Sequence, residues 1–420
     1  MQKILVKGPV FSQSGYGEHA RFVMRALRTR EEDLDIYCMP IAWGNTGWIW
    51  TDDEERLWLD AIIEKTANHL KGGGQVDVSV QVTIPNEWEK MAPVNIGVTA
   101  GIETTKVAPQ WIEKSLVVDK IITISEHSKQ IYENTSYSAK NETTGEIINN
   151  FRATTPIHIV RYPVKKTVPQ DIELDLETDF NYLTVAQWGP RKNIENTIRW
   201  FVEEFIDQEV GLIVKLNVAR NCYYDRELCE NQISHLLQKY KNRKCKVYLL
   251  HGYMSEEEMS ALYSDERVKA YVTLTHGEGF GLPIFEAAYH GLPIIAPNWS
   301  GHIDFLYMPV KDKKGKVRNK KMFTDVEYTI ENIPKEVVWD GVLTADSSWC
   351  VAEQGSYKMK LRELHKDYGR FRKRAKQLQE WICEELEESK QYEKMVNLIY
   401  DKEVHDLEEW LEELNVETHE

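Results

Sequence analysis

Short apolar runs alternate with longer stretches of helical periodicity through most of this chain. Lys3-Ile-Leu-Val6 opens the series, and further apolar runs cover 34–38, 76–82, 94–100 and 120–124. Between them, 18–27, 52–70 and 125–132 carry apolar residues at helical spacing. A second series runs through 182–186, 212–218, 246–250, 268–274 and 293–296. Parallel strands need crossovers, and helices supply them, so this alternation predicts a doubly wound, mostly parallel sheet in each half. The fold class is therefore α/β, with two Rossmann-like domains. The polar stretch 163–179, with Pro163 and Pro169, reads as the join. The expected divisions are 1–165, a linker at 166–180, 181–370, and C-terminal helices over 371–420. A charged helical pattern fills 356–400, and the last twenty residues hold nine acidic groups and one Lys. That acidic tail is assigned no function.

Composition narrows the function classes. The chain has 420 residues, enough for two ordinary domains, with 42% hydrophobic and 28% charged positions. A net charge of −15 argues against a generally basic nucleic-acid-binding surface, though not against a local basic patch. Six cysteines lie scattered without a Cys-x2-Cys pair, which fits a reducing, cytoplasmic compartment and no zinc site. No signal peptide and no apolar run near 18 residues is visible, so no spanning helix is expected.

The most specific chemistry lies in His276-Gly-Glu-Gly-Phe-Gly-Leu-Pro-Ile-Phe-Glu286, between a predicted strand and a predicted helix. Helix N-terminal amides there favour negative charge, and glycine lets the backbone approach a ligand closely. Glu278 and Glu286 stand eight positions apart and can accept hydrogen bonds from hydroxyls on either side of a bound phosphate. A ligand with central phosphate and hydroxyls at both ends is a nucleotide sugar. Gly189-Pro-Arg-Lys192 follows another strand, and there Arg191 and Lys192 can neutralise a pyrophosphate, Arg by a fork and Lys as a point charge. Near the N-terminus, Gly15 and Gly17 sit in a loose Gly-x-Gly-x-x-Ala after the first strand, a weak dinucleotide signal by itself.

Glu278, Gly279, Phe280, Gly281, Leu282, Pro283 and Glu286 resemble the Glu-x7-Glu signature of retaining GT-B glycosyltransferases, in particular family 4. The resemblance implies two domains facing a cleft, with part of the C-terminal helix crossing back onto the first. It implies that Glu278 and the following amides hold the donor sugar and pyrophosphate, and that Glu286 binds the ribose. It places Arg191 and Lys192 on the leaving diphosphate, the 15–17 loop against donor phosphates, and Tyr253 and Met254 beside the nucleobase. Glu103, at a first-domain strand end, is a candidate on the acceptor side, as are His19 and His127; for His19 a capping or surface role is preferred. The expected role of Ser125 is a helix N-cap, and His302 and Asp304 fall near the donor pocket without a defined part. No cofactor or metal is called for: no Asp-x-Asp ends an apolar strand, and the two cations can stand in for a divalent ion on the diphosphate. UDP-glucose is the default donor.

The acceptor is less legible. Positions 311–321 hold seven cations in eleven residues, centred on Gly315, and read as a basic hairpin or loop. Lys313, Lys314, Lys316 and Arg318 are candidates for phosphate contacts with nucleic acid or lipid, against the alternative of a solvated lysine loop. The segments 7–21 and 43–48 resemble glycosyltransferases of tailed bacteriophages. That resemblance implies a hydroxymethylated DNA base as one acceptor, or a surface glycan, lipid or protein as another. A non-catalytic nucleotide-sugar binder and a dinucleotide oxidoreductase are the remaining alternatives. Oligomeric state is not readable.

Overall fold

The computed structural model describes residues 1–140 and 143–400, so the acidic tail lies outside the described residues. The first half contains β1 (Gln2–Gly8), β2 (Leu34–Pro40), β3 (Val78–Val82), β4 (Val94–Val98), β5 (Lys120–Thr123), an antiparallel ribbon of β6 (Tyr137–Lys140) and β7 (Ile147–Phe151), and β8 (Ile157–Ile159). Six of these form a parallel sheet in the order β2-β1-β3-β4-β5-β8. The second half contains β9 (Asn181–Gln187), β10 (Gly211–Asn217), β11 (Lys246–Leu250), β12 (Val268–Val272) and β13 (Ile294–Pro297). It continues with β14 (Tyr307–Lys311), β15 (Val317–Lys321), β16 (Thr324–Val326), β17 (Tyr328–Asn332) and β18 (Ser348–Ala352). Its parallel sheet runs β11-β10-β9-β12-β13-β16, while β14–β15 and β17–β18 are antiparallel ribbons.

Helices cover the sheets. They are α1 (Gly15–Arg28), α2 (Glu54–Lys71), α3 (Pro109–Ser115), α4 (Glu126–Asn134), α5 (Ile194–Glu204) and α6 (Tyr223–Leu237). Then come α7 (Glu256–Ser264), α8 (Leu282–Tyr289), α9 (Ile303–Leu306), α10 (Gln354–Lys366), α11 (Tyr368–Glu385) and α12 (Glu388–Ile399). None among the described residues is long and apolar enough to cross a membrane. The strands read as near-continuous apolar runs because both sheet faces are covered: Ile4, Val6, Val80, Leu212, Val214 and Val272 are fully buried. In each sheet the strand order reverses beside the first strand, β1 or β9. Ligand crevices open at the carboxyl ends of strands at such a point.

The helical pattern over 356–400 is three helices rather than one, broken at Asp367 and Leu386. The second break has a packing reason. Leu386 is buried and its carbonyl accepts from Val164 N at 2.8 Å, turning the chain so that α12 lies on α1 of the first half. Tyr392 meets Phe22 there with ring centroids 5.8 Å apart, and Lys120 Nζ donates to Leu398 O at 2.6 Å. The connecting stretch near 170 is less plainly polar than its composition suggests. Ile172, Leu174 and Leu176 alternate with exposed acidic residues and lie half-buried against the core. Further links join the halves: Arg161–Asp304 at 2.7 Å, Lys106–Asp346 at 2.6 Å, and Ser348 N to Thr105 Oγ1 at 2.9 Å.

Candidate active site

Strand β12 ends at Val272, and the chain then crosses Thr273–Phe280 before α8 begins with Pro283 in its first turn. Gly281 takes φ +90°, a left-handed conformation that L side chains rarely adopt, and so sets the turn into the helix. The other two glycines are constrained by packing between the halves. A Cβ on Gly277 would stand 2.2 Å from Glu103 O, and one on Gly279 would stand 2.0 Å from Ala100 O. Both are glycine because the second half's loop presses on the backbone at the end of β4 in the first half.

That contact buries Glu278, which is 7% exposed. Its carboxylate accepts from Lys192 Nζ at 2.6 Å, Arg191 Nη1 at 3.0 Å and Thr275 Oγ1 at 2.8 Å. Arg191 also reaches Glu103 at 3.2 Å and donates to Gly277 O at 2.6 Å, so one guanidinium ties both halves together. Burial alone would raise the Glu278 pKa. Lys192 and Arg191 overcome it and hold the carboxyl at about 2. Burial pushes the Lys192 ammonium down, against the pull of Glu278, and Arg191 beside it adds to the fall.

Glu286 has the opposite surroundings. It is half-buried in α8 and accepts from Tyr263 Oη at 2.9 Å, with no ion-pair partner among the described residues. Burial pushes its pKa up to about 7, against the Tyr263 hydrogen bond and the more distant Lys165. The two glutamates open into neighbouring cavities of about 530 Å³ each. The one at Glu278 is lined also by Gly15, Glu103, Arg191, Lys192, Gly279 and Leu282. The one at Glu286 is lined by Arg21, Lys165 and Tyr263. Tyr253 and Met254 form part of both walls, so this loop stands where the cavities meet. Phe280 also lines the Glu278 cavity, though it is 2% exposed and its ring packs on Tyr162 and Phe285.

The N-terminal glycines are already helical: Ser14 caps α1, and its Oγ accepts from Gly17 N at 3.1 Å. Gly15 faces open space at the cavity wall, whereas a Cβ on Gly17 would meet Ser12 O at 1.9 Å, so Gly17 packs the loop onto its helix. Ser125 caps α4 as expected. His19 is not a capping or surface residue: it is fully buried beside Tyr162, and burial lowers its pKa to about 3. His127 packs edge-on against Trp299 at 5.0 Å and is likewise lowered, by burial and by His302, to about 4. His302 is buried on Pro297 O at 2.8 Å, and Asp304 is held by Arg161, so both are structural here. Lys313, Lys314, Lys316 and Arg318 are exposed on the β14–β15 hairpin, whose turn holds Gly315 at φ +78°.

Sequence reasoning missed Thr275, Tyr263 and Lys215. Lys215 lines the Glu278 cavity with no ion-pair partner among the described residues, and burial lowers its pKa. A cation inside the apolar run Leu212-Ile-Val-Lys-Leu216 was a usable signal. Tyr263 carried none, since its position opposite Glu286 depends on how α7 packs against α8.

No protein-family model matches the chain, and no curated protein does. Among solved structures the chain resembles sucrose-phosphate synthase from Thermosynechococcus elongatus, at TM-score 0.59 and 13% identity over 95% of this chain and 98% of that one. It resembles HepE from Anabaena, in complex with UDP and glucose, at TM-score 0.58 and 12% identity, covering 95% and 99%. A glycosyltransferase from Rickettsia africae gives TM-score 0.58 at 11% identity, covering 95% and 97%. At such identities the likeness establishes the fold, which is GT-B.

Proposed function

We propose that this GT-B protein is a retaining glycosyltransferase that moves a hexose from a nucleotide sugar, UDP-glucose, to an acceptor hydroxyl. The observation that carries the reading is the meeting of Arg191 and Lys192 with Glu278 at the carboxyl ends of β9 and β12, on a cavity between the halves. The HepE structure of the same fold, which holds UDP and glucose, supports the choice of donor.

In this reading the donor diphosphate lies over Lys192, Arg191 and the α8 amides, and Glu278 meets sugar hydroxyls. As the bond from the anomeric carbon to the diphosphate oxygen breaks, negative charge grows on that oxygen. Fixed cations lower the barrier there, the role a divalent metal has in other transferases. The acceptor oxygen attacks from the same face, and its proton passes to the departing diphosphate oxygen, which balances charge and retains configuration. Glu286, across the Tyr253–Met254 loop, accepts from the ribose hydroxyls.

For the acceptor we propose 5-hydroxymethylcytosine in DNA, supported by the phage-like N-terminal segment and the exposed cations of the β14–β15 hairpin; the enzyme would then act in the cytoplasm of an infected cell. The test is transfer from labelled UDP-glucose to duplex DNA with and without the modified base, with released UDP counted in parallel. Label on the modified DNA alone is the expected result. UDP release without DNA labelling would keep the transferase and move the acceptor to a glycan, lipid or protein. Donor binding with no release on any acceptor would leave a nucleotide-sugar binder.

A further inference from the structure

A third cavity, of about 490 Å³, lies away from the cleft. It is bounded by the end of β15, the start of β16, and helices α10 and α11. Both sheets are parallel, and the donor cavity sits at the strands' carboxyl ends. This third cavity is lined by Thr324, the first residue of β16, and so lies at the opposite end of the second sheet. Six of its lining residues are cations: Lys320, Lys321, Lys360, Arg370, Lys373 and Arg374. Its two acids, Asp325 and Glu363, are already engaged by Lys321 and Lys360.

Three features set this groove apart from a solvated lysine surface. Arg370, Lys373, Arg374 and Gln377 follow i, i+3, i+4, i+7 spacing, so α11 presents them as one stripe. Phe371, itself only 5% exposed, carries both guanidiniums on its ring, with Arg370 at 4.7 Å and Arg374 at 5.3 Å from the centroid. The two forks are thereby held in place before any ligand arrives. Finally, Lys320, Lys373 and Arg374 have no ion-pair partner among the described residues. Arg374 is half-buried and its guanidinium donates to Thr324 Oγ1 at 2.7 Å. Arg370 is ion-paired with Asp367 at 3.1 Å, so three of the six cations are matched and Lys320, Lys373 and Arg374 remain as the groove's net positive charge, which an anion would neutralise. The groove is continuous through Lys320 with the hairpin that carries Lys313, Lys314, Lys316 and Arg318, an arm of roughly 17 Å for its five-residue strands.

We propose that this groove and the hairpin arm form a docking site for the phosphodiester backbone of a duplex nucleic acid, separate from the donor cavity. A row of evenly spaced phosphates matches a stripe that continues along an arm. The groove's own aromatic rings, Phe323 and Phe371, are turned inward at 1% and 5% exposure, so it offers no ring for insertion into a lipid surface. The hairpin arm rests on the DNA-acceptor reading given above, but the site requires no sugar transfer, so its test can fail separately from the donor reading.

The experiment measures binding of the full chain to a short unmodified DNA duplex by fluorescence anisotropy across a salt series, with no nucleotide sugar present. The variant Arg370→Gln/Lys373→Gln/Arg374→Gln is expected to bind at least about tenfold more weakly. Its log–log salt slope should be shallower by about 0.9 for each phosphate that is no longer neutralised. Arg370→Lys/Arg374→Lys keeps the charges and should retain most of the binding. A separate variant, Lys313→Gln/Lys314→Gln/Lys316→Gln, lies wholly on exposed positions and should weaken binding even if the helix variant folds poorly. The proposal is overturned if wild type does not bind duplex at low salt, or if all variants bind alike. It is equally overturned if the charge-removing variants lose binding to phosphatidylserine vesicles while duplex binding is unchanged.

Discussion

The two glutamates of the 278–286 segment share a motif and sit on one loop and helix, yet the fold treats them in opposite ways. Glu278 is pressed under the first half and matched with two cations and a hydroxyl, so its carboxyl is held near 2. Glu286 is half-buried with a tyrosine hydroxyl and no ion-pair partner among the described residues, so burial pushes its carboxyl up to about 7. One end of the motif is a fixed charge and the other a proton acceptor near neutrality. The difference comes from neighbours supplied by β9 and α7, not from the residues themselves. Preorganised charge suits a site where charge develops; a carboxyl balanced near its pKa suits reversible hydrogen bonding to hydroxyls.

The largest expected break is at the charged end. Lys192→Ala should lower the transfer rate constant ~10²-fold or more, because the point charge on the leaving group is removed. Arg191 remains to hold Glu278, so circular dichroism should show an intact fold; full activity in this variant would remove Lys192 from the site. Gly279→Ala attacks the same end through packing. Its Cβ would fall 2.0 Å from Ala100 O, a backbone atom with no easy escape. We expect a loss of about 2–4 kcal/mol in denaturant unfolding; an unchanged midpoint would mean that the halves do not press together there.

The Glu286 end is sharpened by pH. A carboxyl raised from its usual value to about 7 binds more protons in the folded than in the unfolded chain between those values. Stability from this residue therefore falls as pH rises through that window. Glu286→Gln should unfold at a higher temperature than wild type near about pH 8, and the gain should shrink toward about pH 5. The donor KM should rise as pH falls below about 7 in wild type, and the variant should lose that dependence. Glu278 runs the other way. Its depressed pKa gives stability that is complete above the ordinary carboxylate value and lost only as pH falls toward about 2. The smallest change is Gly15→Ala, where a Cβ meets nothing within 4 Å. It should alter the unfolding midpoint by no more than about 1 kcal/mol, in the stabilising direction, since the backbone there is helical.

Apolar runs and turn residues announced both sheets, because a strand covered on two faces must be apolar along its length. Ten of the strands were visible in this way: β1 to β5 and β9 to β13. The edge strands β8 and β16 were not, being three residues each and too short to show a pattern. The Glu-x7-Glu segment, the Arg191–Lys192 pair and the basic hairpin were likewise visible, since each is contiguous. Residues meeting across long separations were not. Tyr263 reaches Glu286 through helix packing, Arg191 bridges to Glu103 across the two halves, and His19, polar by type, is buried on an inward face of α1.

Sequence alone thus determined the α/β alternation, the glycine-bearing strand-to-helix turn and the types of charge available. Tertiary structure decided which charges are neutralised and which stand free. Glu278 and the cations of Gly189-Pro-Arg-Lys192 meet because β9 and β12 are adjacent in the sheet. Lys373 and Arg374 stand without an ion-pair partner among the described residues because β16 and α10 bring to that side acids that lysines already engage. Charge type is carried by each residue, but the pairing energy falls off with distance and rises with burial. Only the folded chain sets those two quantities.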